Sequence, residues 1–375
     1  MEMSFFKALG KYIEYSGGPS MLTETNVLAP GSLNGFLTGK VFNRCKRLHP
    51  LLALAFEMLH FLKFLEAYTN RDELSDLFGH FHDYADWNQF TSMGVFKDCI
   101  EKYSEFTEET KSGKHGATAQ YWMMYVEYVH AYHTLERAVR TNNIDLYTRA
   151  LTPVIGLFFM VGHINYARWM SKFQLDLLNI DQSHPGIRHL LEDGAFSVRS
   201  TDKSFSRIPV DLTLEQTINA DAASRLTGIS AMTNNYEARL RWMVTKSARA
   251  GCMSKLQEIL EMKQLDDVTA DLRKSKIKRD TDDLKKIVGK IKECCNPFES
   301  ANENLHNIFT GKQASVATKT SLLNVSEDGE KRRKAFVKEC KEDPSRFEKT
   351  IKREKLTSFK NECVKSSTST NKKNG

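Results

Sequence analysis

The sequence has little of what usually announces a reaction or a compartment. Proline occurs only eight times in 375 residues, and long stretches repeat with helical period, which excludes an all-β fold. Seven cysteines is an odd number, and no Cys-x-x-Cys pair occurs; Cys294 and Cys295 are adjacent and the others scattered. Such spacing supplies neither a zinc framework nor a disulfide framework. The longest apolar run, Pro153–Val161, is broken by Gly156 and falls short of the ~20 residues a spanning helix needs. No membrane segment is expected. Met1-Glu-Met-Ser4 has no basic region followed by an apolar one, so no secretory signal is expected either, and the thiols read as reduced and intracellular. Gly17-Gly18-Pro19 and the pair Gly35/Gly39 fit neither a Walker nor a Rossmann fingerprint. There is no Gly-x-Ser-x-Gly nucleophile elbow and no repeat of solenoid period.

The apolar share of 41% against 27% charged residues is enough for a real core. Charge and aromatics are unevenly placed. Residues 251–375 hold 28 Lys+Arg and 20 Asp+Glu, whereas residues 1–250 hold 26 and 27 and carry every Trp and Tyr and 17 of the 22 Phe. Aromatic rings bring the largest apolar areas, so residues 1–250 read as a packed, helix-rich core. Residues 251–365 read as a basic helical region, loosely docked and open to proteases before Asp283 and after Phe309. The Ser/Thr/Asn/Lys-rich stretch 366–375 reads as a disordered tail.

Leu51, Leu54, Ala55, Met58, Leu62 and Leu65 predict an amphipathic helix over 50–67, with Pro50 in its first turn. Tyr121 to Val139 predict another over 118–140. Shorter helices are predicted at 71–79, 95–109, 144–162 and 165–179, and one from His184-Pro185 that Gly194 ends. The period then changes: Phe196–Val198 and Phe205–Ile208 alternate around Ser200–Lys203 and predict a β-hairpin near 195–209. Helical pattern resumes at 212–219, at 236–250 and over Leu284, Ile287, Val288 and Ile291, with Asp282 and Asp283 at the positive end of that helix. The fold class is therefore mainly α with one short hairpin.

Two Glu-x-x-His pairs, Glu57/His60 and Glu127/His130, resemble half of a di-iron bundle set. No unique third and fourth carboxylates accompany them, and His133 and Glu136 continue the spacing without sharing one face. The alternative is ordinary interior or edge histidines, and no cofactor is expected. Two cation clusters could contact phosphates or serve nuclear import: Arg273, Lys274, Lys276, Lys278 and Arg279, then Lys331, Arg332, Arg333 and Lys334. Neighbouring Asp280, Asp282, Asp283, Glu327 and Glu330 equally fit solvated helix faces, and no Tyr or Trp interleaves with these cations for base stacking.

Leu37–His49 with Leu59-His-Phe61, then Gly162-His-Ile-Asn-Tyr-Ala-Arg-Trp169, then Ile208–Ile229 resemble large uncharacterised proteins derived from mobile elements and multiplied in invertebrate genomes; Ile308–Gly311 and Glu339–Glu348 extend the likeness. The resemblance implies a transposase-like ancestry in which this chain is a middle piece. It also implies that Glu215, with Asp211 one turn earlier, stands where a third metal-binding carboxylate follows a helical insertion. The same two residues fit a helix cap and first turn. His163, Tyr166, Arg168 and Trp169 read as a polar site or as a helix start with an Arg on an aromatic. The expectation is a non-enzymatic helical remnant, nuclear rather than cytoplasmic, with phosphate-level DNA contacts. The alternatives are a helical scaffold for a protein partner and a di-metal bundle.

Overall fold

The structure, a computed structural model, describes residues 2–81, 87–199, 205, 207–209, 255 and 274–343. The protein is mainly α, with one short antiparallel hairpin among the described residues. In chain order the helices are α1 (Glu2–Ile13), α2 (Gly18–Glu24), α3 (Leu33–Leu37), α4 (Phe42–Ala67), α5 (Arg71–Gly79), α6 (Trp87–Thr91) and α7 (Gly94–Lys111). There follow α8 (Ala117–Thr141), α9 (Ile144–Met160), α10 (Ile164–Leu178), α11 (Ile180–Ser183) and α12 (Ile187–Leu190). The hairpin β1 (Ser197–Arg199) and β2 (Arg207–Pro209) comes next, then α13 (Lys274–Cys294), α14 (Val316–Leu323) and α15 (Val325–Glu342). Val198 pairs with Ile208 in the hairpin.

Among the described residues the predicted helices recur, with informative differences. α4 starts at Phe42, so Pro50 lies inside it; lacking an N–H, Pro50 leaves the Lys46 carbonyl without its helical partner. α4 is also long and apolar enough to cross a membrane by length and hydropathy, although 56% of that window is buried within the fold. Counting uninterrupted apolar residues missed this, because single charges interrupt a run whose average stays apolar. The predicted helix from His184 is the single turn α12, followed by a wide turn over Leu191–Ala195 in which Gly194 adopts φ 111°, a conformation open to glycine and strained for other residues.

The core is a layer of α4, α8 and α9 closed by α1. α8 buries rings on most of its circumference, Tyr121, Trp122, Tyr125, Tyr128 and Tyr132 among them. Phe6 and Phe36 sandwich His49 at 5.5 and 4.5 Å, and Phe56 stacks on Trp122 at 3.9 Å. A second, smaller cluster joins Phe64 and Tyr68 to Leu74, Leu77, Phe90 and Cys99 of α5–α7.

Residues 274–343 dock more closely than their scarcity of rings implied. Ile287 and Ile291 of α13 and Ile308 of the following strap are fully buried in the main core, with Phe336 and Cys340 of α15. α13 lies against α4 and α2, α15 against α9 and α10. One apolar stripe per helix fills a groove left by the larger helices, so few aromatics are needed. Asp282 and Asp283 lie well inside α13, whose first turns are occupied by lysines; buried Asp283 instead accepts from Arg47 of α4 at 2.5 Å, and Asp280 does so at 2.7 Å. The boundary near Gly251, the helices at 212–219 and 236–250 and the tail 366–375 fall outside the described residues.

Candidate functional site

The two Glu-x-x-His pairs do not converge. Glu57 meets His130 across α4 and α8, Oε2 to Nε2 3.2 Å, and that hydrogen bond raises the imidazole pKa above its ordinary value. His60 turns to the other side of α4 and is fully buried, with Nδ1 3.1 Å from the Tyr103 hydroxyl and Nε2 2.8 Å from Thr110 Oγ1. Glu127 faces Lys111 at 3.5 Å. His133 lies 4.0 Å from Glu136, a carboxylate held by Lys46 at 2.6 Å and Arg140 at 2.7 Å. Among the described residues no three or more His, Cys, Asp or Glu side chains gather as a metal site. Glu57, His60, Glu127 and His130 are thus not brought together: packing of α7 on α4 takes His60 inward, with both its nitrogens engaged.

The basic clusters are also divided. Arg273 lies outside the described residues; Lys274, Lys276, Lys278 and Arg279 occupy the first turns of α13, with Arg279 3.6 Å from Asp280. In α15 the four cations point around the helix. Lys331 pairs with Glu327 at 3.0 Å and Lys334 with Glu330 at 3.7 Å. Arg333 turns inward, donating to both oxygens of Glu330 at 2.7 and 2.8 Å and to Gln174 of α10 at 3.3 Å. Arg332 is exposed. The two clusters sit on helices that dock on different parts of the core. Asp211 and Glu215 lie outside the described residues.

A third surface joins cations to rings. α9 and α10 form a hairpin about Val161-Gly162-His163, where Gly162 has φ 81°. Tyr166, Trp169 and Phe173 on α10 are 43%, 51% and 47% exposed; spaced three and four residues apart, they form one stripe along the helix. Phe158 and Tyr147 of α9 support its two ends, 5.7 Å from Tyr166 and 6.5 Å from Phe173. The expected Arg on an aromatic is present: Arg168 lies over Phe336 of α15 at 5.5 Å.

Between Asp145 and Asp176 the chain has no acidic residue, whereas Arg149, Arg168 and Lys172 fall within that span. Both aspartates lie at the end of the hairpin away from its turn. At the turn, Lys11 of α1 donates to the Val161 carbonyl at 2.8 Å. Burial, then the nearby charges of Lys7 and Lys11, hold the His163 imidazole below its ordinary pKa. Two sequence signals could have found this face: the acid-free span, and rings at i, i+3 and i+7 beginning at Tyr166.

A family profile described as a domain of unknown function, DUF8702, matches residues 1–374. The chain belongs to the DUF8702 family. No curated protein and no solved structure matches it significantly. The DUF8702 match spans the α4–α8–α9 core, the α9–α10 face and both basic helices alike.

Proposed function

We propose that this DUF8702 chain is a non-catalytic helical module of a mobile-element-derived, transposase-like protein that associates with nucleic acid through phosphate contacts in the nucleus. The observation that carries the proposal is the α9–α10 hairpin, which has no carboxylate between Asp145 and Asp176 and whose turn receives Lys11 through its hydrogen bond to the Val161 carbonyl. The likeness of Gly162–Trp169 to mobile-element proteins falls on the same turn. No cofactor and no membrane contact belong to this reading.

A helical scaffold for a protein partner is the second reading. It is favoured by the pairing of Lys331, Arg333 and Lys334 with carboxylates of their own helix, which leaves those cations less available to phosphates. Salt dependence separates the two. Each phosphate neutralised on duplex DNA contributes about −0.9 to the slope of log affinity against log salt. Three or four contacts from the α9–α10 face thus give a slope of roughly −3, measured by fluorescence anisotropy with the full chain. A flat response, or no binding near physiological salt, supports the scaffold and removes the nucleic-acid reading.

A further inference from the structure

We infer that the outer face of α5–α7 docks a basic amphipathic helix of a partner protein, with the helix's apolar side on Phe78, Trp87, Phe96 and Ile100 and its cations facing Glu101 and Glu105. This face is separate from the α9–α10 hairpin, and the inference does not depend on the nucleic-acid reading above.

Phe96 holds the face together. Its ring lies 6.0 Å from Trp87 and 6.4 Å from Phe78, and Ile100 follows one turn later on the same side of α7. Phe90 is fully buried against the same rings, 5.2 Å from Phe78 and 5.5 Å from Trp87. The small core is therefore closed, yet Phe78, Trp87 and Ile100 stay 49%, 58% and 51% exposed, a contiguous apolar patch of the kind that marks an interaction site. Phe96, Ile100, Glu101 and Glu105 line an open groove of about 480 Å³ together with Thr91 of α6. From Phe96 to Glu105 it follows ~13 Å of α7, room for two turns of a second helix. Helix-in-groove binding uses apolar anchors at that spacing.

Charge selects the partner. Residues 71–111 contain ten Asp+Glu and four Lys+Arg, a net of −6 in a chain whose total is +7. Lys102 is taken up by Asp98 at 3.2 Å, and Lys111 by Glu108 at 2.9 Å and Glu127 at 3.5 Å. Glu101 and Glu105 are exposed and have no ion pair among the described residues, and together they outweigh Lys97, the cation beside them in the groove. An acid-rich rim attracts cations and repels phosphates, so the face suits a basic protein segment and not nucleic acid or an anionic lipid surface. The contrast within the same molecule is α4, where Leu54, Met58 and Leu62 are 42%, 40% and 43% exposed. The carboxylates on that helix, Glu57 and Glu66, pair with His130 and Lys63, so no unbalanced charge there specifies an occupant.

The test uses the full chain and a fluorescein-labelled peptide of about 18 residues, with leucines on one helical face and lysines on the other, read by fluorescence anisotropy. A second peptide carries Glu in place of every Lys. The Lys peptide is expected to bind and the Glu peptide is not. Trp87→Ala should weaken binding by about 30-fold, the scale of an aromatic hot spot. Glu101→Lys combined with Glu105→Lys should weaken it by about 10-fold at low salt, a difference that shrinks as salt is added. Both positions are exposed, so this variant keeps the fold even where Trp87→Ala does not, which circular dichroism checks. Glu327→Lys combined with Glu342→Lys makes the same change of net charge on α15, at side chains 70% and 64% exposed. It should leave affinity within about 2-fold, as expected of a distant site. No binding of the Lys peptide, equal binding of both peptides, or equal losses in the α7 and α15 double variants each overturns the docking face.

Discussion

At His60 a polar ring sits inside an aromatic pocket, with Phe106 and Phe298 at 4.8 and 5.1 Å. Thr110 gives its hydroxyl proton to the Phe106 carbonyl at 2.9 Å, so Nε2–H of His60 donates to Thr110 Oγ1 and Nδ1 accepts from Tyr103 O–H. That arrangement requires the neutral imidazole. Burial first, then the charge of His115, pushes its pKa down to about 4. The unfolded chain protonates His60 near pH 6.5, so its contribution is intact above that value and is lost as pH falls from about 6.5 to about 4. His49 acts in the same direction, pushed down to about 3 by burial. His130 acts oppositely, its raised pKa stabilising the protonated form, but it is half exposed beside Glu57 and screened. The buried pair therefore decides the sign. Between pH 7.5 and 5 the His60 term amounts to about 2 kcal/mol. Urea unfolding of His60→Gln should show a gap between those two pH values smaller by an amount of that order. A gap equal to the wild type would mean that His60 is not held neutral. The sequence shows Glu57/His60 and Glu127/His130 as equivalent pairs. Which histidine goes inside depends on the side of α4 that receives α7, and that is a matter of packing absent from the spacing.

At the scale of elements, the crossing of α9 and α15 is backbone on backbone. A Cβ added at Gly329 would lie 2.5 Å from the Gly156 carbonyl oxygen, closer than real Cβ atoms come, and both glycines are within helices where other residues would be better helix formers. Close approach is the reason for them. Gly289 in α13 is the comparison, since a Cβ there meets nothing within 4 Å. Gly329→Ala should destabilise by roughly 1–3 kcal/mol, the scale of overpacking, against its intrinsic helical gain. Gly289→Ala should stabilise by about 0.5–1 kcal/mol. Thermal denaturation of the two variants reads the difference, and a shift of the same sign in both would remove the crossing argument. Periodicity made α9 and α13 legible but not α15, and β-alternation around Ser200–Lys203 made the hairpin legible. Helix docking was not legible. Gly156 looked like an interruption of an apolar run, and Gly329 sat unremarked among charges, because a contact between two distant glycines leaves no mark on the period of either helix.

Over the whole molecule, the chain between α13 and α14 ties the last helices to the first. Ile308 N donates to the Ser16 carbonyl at 2.9 Å, and the Asn302 carbonyl accepts from Ala117 N at 2.9 Å. His306 N donates to Thr118 Oγ1 at 3.0 Å. Leu305 and Ile308 are buried beneath these bonds. Sequence composition shows only a polar stretch with scattered apolar residues here, which reads as an open loop cleavable after Phe309. Its anchors are backbone groups, and those are invisible in composition. Asn307 is the side chain that concentrates them: its Nδ2 donates to the Tyr15 carbonyl at 2.7 Å, while its Oδ1 accepts from Phe309 N at 3.0 Å and Thr310 N at 2.9 Å. Gly17, at φ 93°, brings the chain so close that a Cβ there would lie 2.6 Å from Asn307 Oδ1. Asn307→Ala removes three hydrogen bonds, each with a net value of about 1 kcal/mol, and leaves the partly buried Phe309 N without its acceptor. Local opening of the strap should become more frequent by about 10- to 100-fold, and chymotryptic cleavage at Phe309 should accelerate in proportion while the population of open strap limits the rate. Lys312→Ala, at an exposed position of the same strap, should leave the rate unchanged. Wild-type chain cut at Phe309 as fast as the Asn307 variant would mean that the strap does not hold α13 and α15 to the core, and that the close docking of those helices depends on their own apolar stripes alone.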